Sequence, residues 1–176
     1  MTTETKSSNA RPSVGLTLLL LIGVVPFMAG LFGLYNLLNI GMPACGLLFL
    51  VYWAAILGQD FKTYLPSVFG GLAGILLGWL LVALPSRMGQ PGMIIAAVAL
   101  VAVLFCFMRG QARLVVNNAT MLFLTVATIS ELKIAGNVVV MVESLLLAAA
   151  YMGAVAGVVH IVTKRRAEKS AAAAPT

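Results

Sequence analysis

The chain consists of six long apolar runs, separated by short segments that contain charged residues, proline or glycine. The runs cover residues 14–34, 40–57, 65–84, 91–108, 114–129 and 138–162. A helix needs about 20 mainly apolar residues to cross the hydrocarbon layer of a membrane. The pattern therefore predicts an all-α integral membrane protein with six transmembrane helices.

Prolines mark several of the predicted helix ends. Pro66 and Pro91 are predicted to open the third and fourth helices, because a proline in the first turn loses no intrahelical hydrogen bond. Pro85 and Gly89 are predicted to close the third helix. Pro26 lies in the middle of the first helix and is predicted to kink it. Such a kink serves either function or architecture.

The composition places nearly the whole chain in the membrane domain. Of the 176 residues, 61% are hydrophobic and 9% are charged, whereas about 25% are charged in an average soluble domain. Residues 14–163 are predicted to form the six-helix domain. Residues 1–13 and the basic, then alanine-rich residues 164–176 are predicted to be disordered cytoplasmic tails.

The basic residues predict the orientation of the helices. If all six runs cross the membrane, nine Lys and Arg residues lie on one side and two on the other. Basic loops tend to stay in the cytoplasm, so both termini are predicted to be cytoplasmic in a bacterial inner membrane. If the fifth run did not cross, the count would be six against five, and the charges therefore favour six spans. The nine are Lys6, Arg11, Lys62, Arg109, Arg113, Lys164, Arg165, Arg166 and Lys169, and the two are Arg87 and Lys133.

The scarcity of acidic residues and histidine limits the chemistry. Five acidic residues and one histidine, His160, are scattered along the chain without metal-ligand spacing. We therefore expect no enzyme activity, cofactor or metal. The net charge of +6 arises from loops and tails, so nucleic-acid binding is not expected either. The expected partners are the lipid bilayer and further membrane helices, in a homo-oligomer or a larger complex.

Glycines recur at a spacing of four residues in two of the predicted helices. Gly70, Gly74 and Gly78 lie in the third helix, and Gly153 and Gly157 lie in the sixth. Small residues at this spacing let two helix backbones approach closely. The pattern predicts that helices three and six are central, although small residues are also common in membrane helices generally.

The fifth run contains a polar stripe. On a helical projection, Asn117, Asn118, Thr125 and Thr128 share about a third of the circumference. Polar side chains without partners are costly in hydrocarbon, so this face is predicted to meet other helices or water. Two interpretations follow from this: interhelical hydrogen bonding, or the lining of a solute path.

Glu143 is the only acidic residue well inside a predicted span. Ionisable groups at depth in a membrane are costly and indicate function, such as proton coupling or substrate contact. Glu143 is also only about five residues from the outer end of its run, which is roughly 8 Å of helical rise. The alternative is therefore an interfacial carboxylate that pairs with Arg87 or Lys133.

The order of features indicates an internal repeat. The sequence Leu-Phe-Leu begins at Leu48 and again at Leu122, and each copy precedes a short charged loop and a helix with spaced glycines. Two halves of three spans have opposite orientation, which is the inverted-repeat plan of many transporters. We call the step along the chain from Leu48 to Leu122 the repeat offset. The step from Gly70 to Gly153 is longer than this offset, so the glycines and the Leu-Phe-Leu copies do not share one spacing.

A resemblance to known families depends on residues 40–46 (Ile-Gly-Met-Pro-Ala-Cys-Gly) and on features that follow them. These features are Tyr52, Trp53, Ala54, Lys62 and the glycine-rich third helix. Over about residues 35–160 the chain resembles a family of small bacterial inner-membrane proteins known only as a domain of unknown function. More remotely, its layout resembles the membrane half of fusaric-acid-resistance-type aromatic acid exporters. That resemblance implies export of small organic solutes, but this chain lacks the long cytoplasmic domain of those exporters.

Two functional hypotheses follow. In the first, the protein is a small channel or transporter for a small organic solute, with the polar stripe of helix five and Glu143 along the path. In the second, it is an accessory or assembly subunit of a larger membrane complex, and the stripe only holds helices together.

Overall fold

The computed structural model describes the backbone of residues 14–129 and 134–172, and the side chains of residues 22–129 and 137–165. Six helices follow one another in the described chain, as the sequence predicts, and the fold is all-helical. The helices are α1 (Val14–Leu37), α2 (Pro43–Leu50, continued by a π-helical segment Val51–Ile56), α3 (Phe61–Met88), α4 (Gln90–Met108), α5 (Asn118–Ala127) and α6 (Ile134–Ala172).

Among the described helices, three are long and apolar enough to cross a membrane: α3, α4 and the part of α6 at Asn137–Arg165. The described part of α1 at Ile22–Leu37, the helix Pro43–Ile56 and α5 are shorter apolar helices. Ten residues give α5 a length of only about 15 Å, half the thickness of the hydrocarbon layer. The protein thus combines long helices with short ones in second and fifth position.

The predicted boundaries of the third helix are wrong. α3 begins at Phe61, where the Asp60 carboxylate accepts a hydrogen bond from the Lys62 backbone N–H at 2.9 Å. This cap starts the helix before Pro66, which then lies inside α3 together with Pro85. Of the two residues predicted to close the helix, Gly89 is the one at which it ends, and its φ of +63° terminates it.

The fifth and sixth helices also differ from their predicted lengths. α5 is shorter than the run 114–129, because Asn117 caps its N-terminus. α6 continues to Ala172, past the predicted domain boundary at residue 163. The predicted tail 1–13 and the last residues of the predicted C-terminal tail, 173–176, lie outside the described residues.

Helices α3 and α6 contact each other, and each of the other helices packs against at least one of them. α5 and α4 pack against α3, whereas α2 and the described part of α1 pack against α6. The largest side chains of the core are fully buried between these helices. They are Phe49, Trp53, Ile75, Phe123, Met141 and Leu145.

Glycines on α3 permit the close approach of α5. A methyl group at Gly74 would lie 2.5 Å from the Thr120 carbonyl oxygen and 2.8 Å from the Leu124 backbone nitrogen. Gly70 lies against the Asn117 amide, and Gly78 is also buried. The α3 glycines that the sequence singles out therefore lie in the described interior.

The glycines of α6 have different surroundings from those of α3. A methyl group at Gly153 would lie 2.7 Å from the hydroxyl of Tyr64 on α3. Nothing lies within 4 Å of the corresponding point at Gly157. Gly71 on α3 instead provides the close contact with α6, because a methyl group there would lie 2.6 Å from Leu145 Cδ1.

In two helix pairs, α2 with α5 and α3 with α6, most buried positions recur at the repeat offset that relates Leu48 to Leu122. The buried residues of α1, Leu31 and Tyr35, instead correspond to exposed residues in α4 and at its C-cap. In α2, residues 45, 46, 49 and 53 are buried, and in α5 so are residues 119, 120, 123 and 127. In α3, residues 67, 70, 71, 74, 75 and 78 are buried, and in α6 so are residues 141, 144, 145, 148, 149 and 152. By burial, Gly70 therefore corresponds to Ser144 and not to Gly153.

Candidate functional site

The predicted polar stripe does not form one continuous lining within the chain. Asn118, Thr125 and Thr128 are exposed, whereas the buried face of α5 carries Phe123 and Ala127 among others. The Thr125 hydroxyl donates to the Met121 carbonyl oxygen at 2.8 Å, and the Thr128 hydroxyl donates to that of Thr125 at 2.7 Å. Because these hydroxyls bond to their own helix, the exposed face leaves neither of them unsatisfied.

Asn117 is a capping residue. Its side-chain oxygen accepts hydrogen bonds from the backbone N–H groups of Ala119 at 2.9 Å and Thr120 at 3.4 Å. Its own N–H donates to the Thr120 hydroxyl at 3.1 Å, which completes a capping box. Its amide nitrogen also donates to the Pro66 carbonyl oxygen at 2.7 Å, and so ties the start of α5 to α3.

The two asparagines allow a matched test of this role. An Asn117→Ala substitution is expected to destabilise the protein by about 1–2 kcal/mol, because it removes the cap and the bond to α3. Asn118→Ala removes an exposed amide beside it and is expected to leave stability unchanged. Thermal unfolding of the purified variants in detergent measures the difference. Equal melting temperatures for the two variants would contradict the capping role.

A small pocket lies beside this cap, and we call it the polar pocket after the polar side chains that reach its otherwise apolar lining. Its volume is about 270 Å³, and it lies between the ends of α2 and α4, the beginning of α3 and the α4–α5 connection. Among the described residues that line it, Arg113 is the charged one, and its Nε donates to the Gly110 carbonyl oxygen at 3.1 Å. The polar lining residues are Tyr52, Thr63, Ser67, Arg113, Asn117 and Asn118.

The structure brings together only part of the predicted path. Asn117 and Asn118 line the polar pocket, whereas Thr125, Thr128 and Glu143 line neither this pocket nor the larger groove described below. Glu143 is exposed on α6; of its two predicted partners, Arg87 is exposed in the last turn of α3, and Lys133 lies outside the described residues. The two interpretations of Glu143 therefore remain predictions.

Pro26 lies inside α1, which continues through it to Leu37. Just beyond the proline, the Tyr151 hydroxyl of α6 donates to the Phe27 carbonyl oxygen at 3.1 Å. A methyl group at Gly30 would lie 2.6 Å from the same hydroxyl. The segment after Pro26 is thus the part of α1 that contacts α6, which favours an architectural role for the proline.

A buried polar cluster joins α1, α2 and α6, and the sequence analysis missed it. The Tyr35 hydroxyl donates to the Ser144 carbonyl oxygen at 2.7 Å, and the Gly46 N–H donates to the Ser144 hydroxyl at 3.1 Å. Tyr35 and Ser144 are almost fully buried, with 3% and 0% of their surface exposed. The signal in the sequence was Ser144 among the small residues of α6, a pattern that is also typical of ordinary helix packing.

A larger groove, which we call the α1–α6 groove, opens between these two helices. Its volume is about 750 Å³, and its lining is mainly apolar, with Phe27, Phe61, Met152 and Ala156 among the contributors. Gln59, His160 and Thr163 supply its polar side chains. The His160 ring packs edge-on against Phe61, with 5.7 Å between the ring centroids.

No family description, curated protein or solved structure matches this chain. Among the described residues, no group of three or more His, Cys, Asp or Glu side chains could hold a metal ion. The arrangement of helices, pockets and charges is therefore the basis for assigning a function.

Proposed function

We propose that the protein is a small multi-pass channel or transporter of a bacterial inner membrane, specific for a small organic solute. In this proposal six spans form two three-helix halves of opposite orientation, with both termini in the cytoplasm. Inverted repeats of this kind, with short or interrupted helices at corresponding places, are typical of transporters.

The observation that carries the proposal is that buried positions in two helix pairs recur at one constant offset. The same repeat offset relates the two Leu-Phe-Leu sequences, in which Phe49 and Phe123 are both fully buried. It also relates the short helices α2 and α5. A single matching pair of helices would be weak support, because many helices bury one face. An offset shared by two helix pairs is stronger support, because the step along the chain from α2 to α3 must then equal the step from α5 to α6.

The helix contacts support the same relation. Gly46 of α2 packs against Ala148 of α6, and Thr120 of α5 packs against Gly74 of α3. The repeat offset converts the first contact into the second, because it relates Gly46 to Thr120 and Gly74 to Ala148. In each contact one partner is a glycine, which allows the short helix to approach the long one.

The contact between α3 and α6 lies where a twofold axis between the halves would pass. Gly71 of α3 touches Leu145 of α6. These two residues are themselves related by the repeat offset, so the two halves meet at equivalent positions. A contact between equivalent positions is what a twofold axis requires.

A path lined by the polar stripe would need a second protomer. Asn118, Thr125 and Thr128 face outwards on the single chain. A path along this face could hold water only if another copy or a larger partner closed it. The proposal therefore includes a homo-oligomer, with the polar pocket at one mouth of the path and Arg113 as its charged group.

Liposome swelling tests the proposal with glycerol, glycine and sodium acetate as probes. Liposomes that contain the protein are expected to swell faster than empty liposomes in at least one solute. The double substitution Thr125→Val and Thr128→Val is expected to slow this uptake at least severalfold, because it removes the hydroxyls from the path. Thr163→Val serves as the control, since the Thr163 hydroxyl also bonds to its own helix but lies on α6. Equal effects of the stripe and control variants would contradict the path.

The second candidate function is an accessory or assembly subunit without a path of its own. The exposed polar face of the short helix α5 favours it, because a larger partner could cover that face equally well. A partner that copurifies at fixed stoichiometry in mild detergent, together with swelling no faster than in empty liposomes, would support this function over transport.

A further inference from the structure

The α1–α6 groove departs from the symmetry that relates the rest of the chain. The repeat offset places α1 on α4 and α3 on α6. α4 packs closely on α3, where Gly92 lies directly against the Leu84 carbonyl. In the part of α1 whose side chains the structure describes, from Ile22 onwards, contacts with α6 are fewer, and nothing lies within 4 Å of a methyl group at Gly23. Among these described residues, one helix pair is closed and its counterpart leaves a groove.

The open side has the size and chemistry of a ligand site. A volume of about 750 Å³ lies within the roughly 300–1,000 Å³ that is usual for small-molecule sites. The walls are mainly apolar side chains of α1, α2 and α6, and the polar groups lie near Gln59, His160 and Thr163. The groove thus has a long apolar part and one polar end.

The polar end also carries positive charge. Lys164 directly follows the lining residue Thr163, Lys62 directly follows the lining residue Phe61, and both lysines are exposed. The exposed Asp60 directly precedes Phe61, so the lysines outnumber the acidic neighbours of the lining. None of the described residues that line the groove is acidic. An occupant must therefore combine an apolar chain with a negatively charged head. Anionic lipids have this structure, and a groove on the surface of a membrane helix is exposed to the lipids of the bilayer.

We propose that the α1–α6 groove binds one anionic phospholipid, with an acyl chain against Phe27, Met152 and Ala156 and the phosphate head at Lys164, beside Thr163. The apolar walls match the chain, and the basic end matches the head. Basic sites between helices on the cytoplasmic side of a membrane bind anionic headgroups in this way. The proposal does not depend on transport, since an accessory subunit would bind the lipid equally well.

Native mass spectrometry of the purified protein tests the proposal, with phosphatidylglycerol and phosphatidylcholine of identical acyl chains as probes. The unmodified protein is expected to prefer phosphatidylglycerol. Each basic residue near the surface contributes a preference of about fivefold. Replacing Lys164 with glutamine is therefore expected to lower the preference about fivefold, whereas Arg165→Gln, about 200° around the helix from Thr163, is expected to change it little. Both residues are exposed, so folding is expected to be unaffected.

A second pair of variants tests the location. Ala156→Phe fills the groove and is expected to abolish binding of both lipids, whereas Ala150→Phe, on an exposed part of the same helix outside the groove lining, is expected to leave it unchanged. Equal binding of the two lipids by the unmodified protein would overturn the anionic specificity. Unchanged binding by the Ala156→Phe variant would overturn the site. Equally strong binding of glycerol 3-phosphate, which has no acyl chains, would overturn a phospholipid as the ligand.

Discussion

A Gly74→Leu variant is expected to lose the native helix arrangement and to elute as aggregate in fluorescence-detected size-exclusion chromatography. Even a methyl group at this position would lie 2.5 Å from one backbone atom of α5 and 2.8 Å from another. Backbone atoms cannot turn aside as a flexible side chain can, so α3 and α5 would have to separate. Separation would also open the contacts of Gly70 and Gly71, and the cost is expected to exceed the about 1–3 kcal/mol typical of overpacking.

Two control variants isolate the cause of this loss. Gly33→Leu makes the same chemical change on α1, where nothing lies within 4 Å of the added carbon. Leu76→Val alters an exposed side chain of α3 itself, just after Gly74. Both are expected to elute like the unmodified protein. If Gly74→Leu eluted with them, the close approach of α5 to α3 would be wrong.

The number and order of helices could be predicted from the sequence because apolar runs and their breaks are local signals. The start of α3 could not, because the proline rule competes with capping. Pro66 is a good helix opener, yet Asp60 and its bond to Lys62 start the helix earlier. The competing signal, an aspartate just ahead of an apolar helix, was present in the sequence.

The polar stripe shows a different limit. The projection that aligned Asn117 with Thr125 and Thr128 treats all of them as interior helix positions. Asn117 is the cap, and its amide turns back to the first turn and to Pro66. Asparagine is a preferred capping residue, so the sequence contained this reading as well. A helical projection cannot choose between a cap and a lining residue.

The α1–α6 groove could not be predicted from the sequence. It depends on how far α1 lies from α6, and its lining residues come from α1, from residues 50–61 and from α6. These segments are far apart in the chain, and no local pattern reports the distance between them.

The internal repeat was visible in the sequence only in part, because the Leu-Phe-Leu copies and the spaced glycines indicated different offsets. The buried residues in the structure repeat at the offset of the Leu-Phe-Leu copies and not at the offset of the spaced glycines. Gly157 lacks close neighbours, whereas Ser144 and Ala148 are fully buried and correspond to Gly70 and Gly74. The positions that repeat are thus those of the buried face, and a serine or alanine can take the place of a glycine there.

Reporter fusions are expected to give an all-or-none result for the membrane topology. A reporter that is active only in the periplasm should be active after Met88 and after Ile129, and silent after Met108 and after Thr163. The nine-to-two distribution of basic residues predicts this outcome. The activity after Met88 serves as the positive control, because that fusion point lies in the short turn between the two long helices α3 and α4.

The helix contacts provide a physical reason for the same expectation. Phe61 contacts His160, which places Lys62 near Lys164, and the polar pocket places Arg113 near Thr63. Basic residues of three separate segments thus share one end of the molecule, whereas Arg87 lies at the other end of α3, about 40 Å of helical rise away.

The decisive fusion is the one after Ile129, because the ten residues of α5 are short for a span. If α5 crosses, the end of α5 and the turn after Met88 lie on the same side of the membrane, and both reporters are active. If the Ile129 fusion were silent while the Met88 fusion was active, α5 would return to the side from which it came. The arrangement of two inverted three-span halves would then be wrong, because α2, which the repeat offset relates to α5, would have no crossing counterpart.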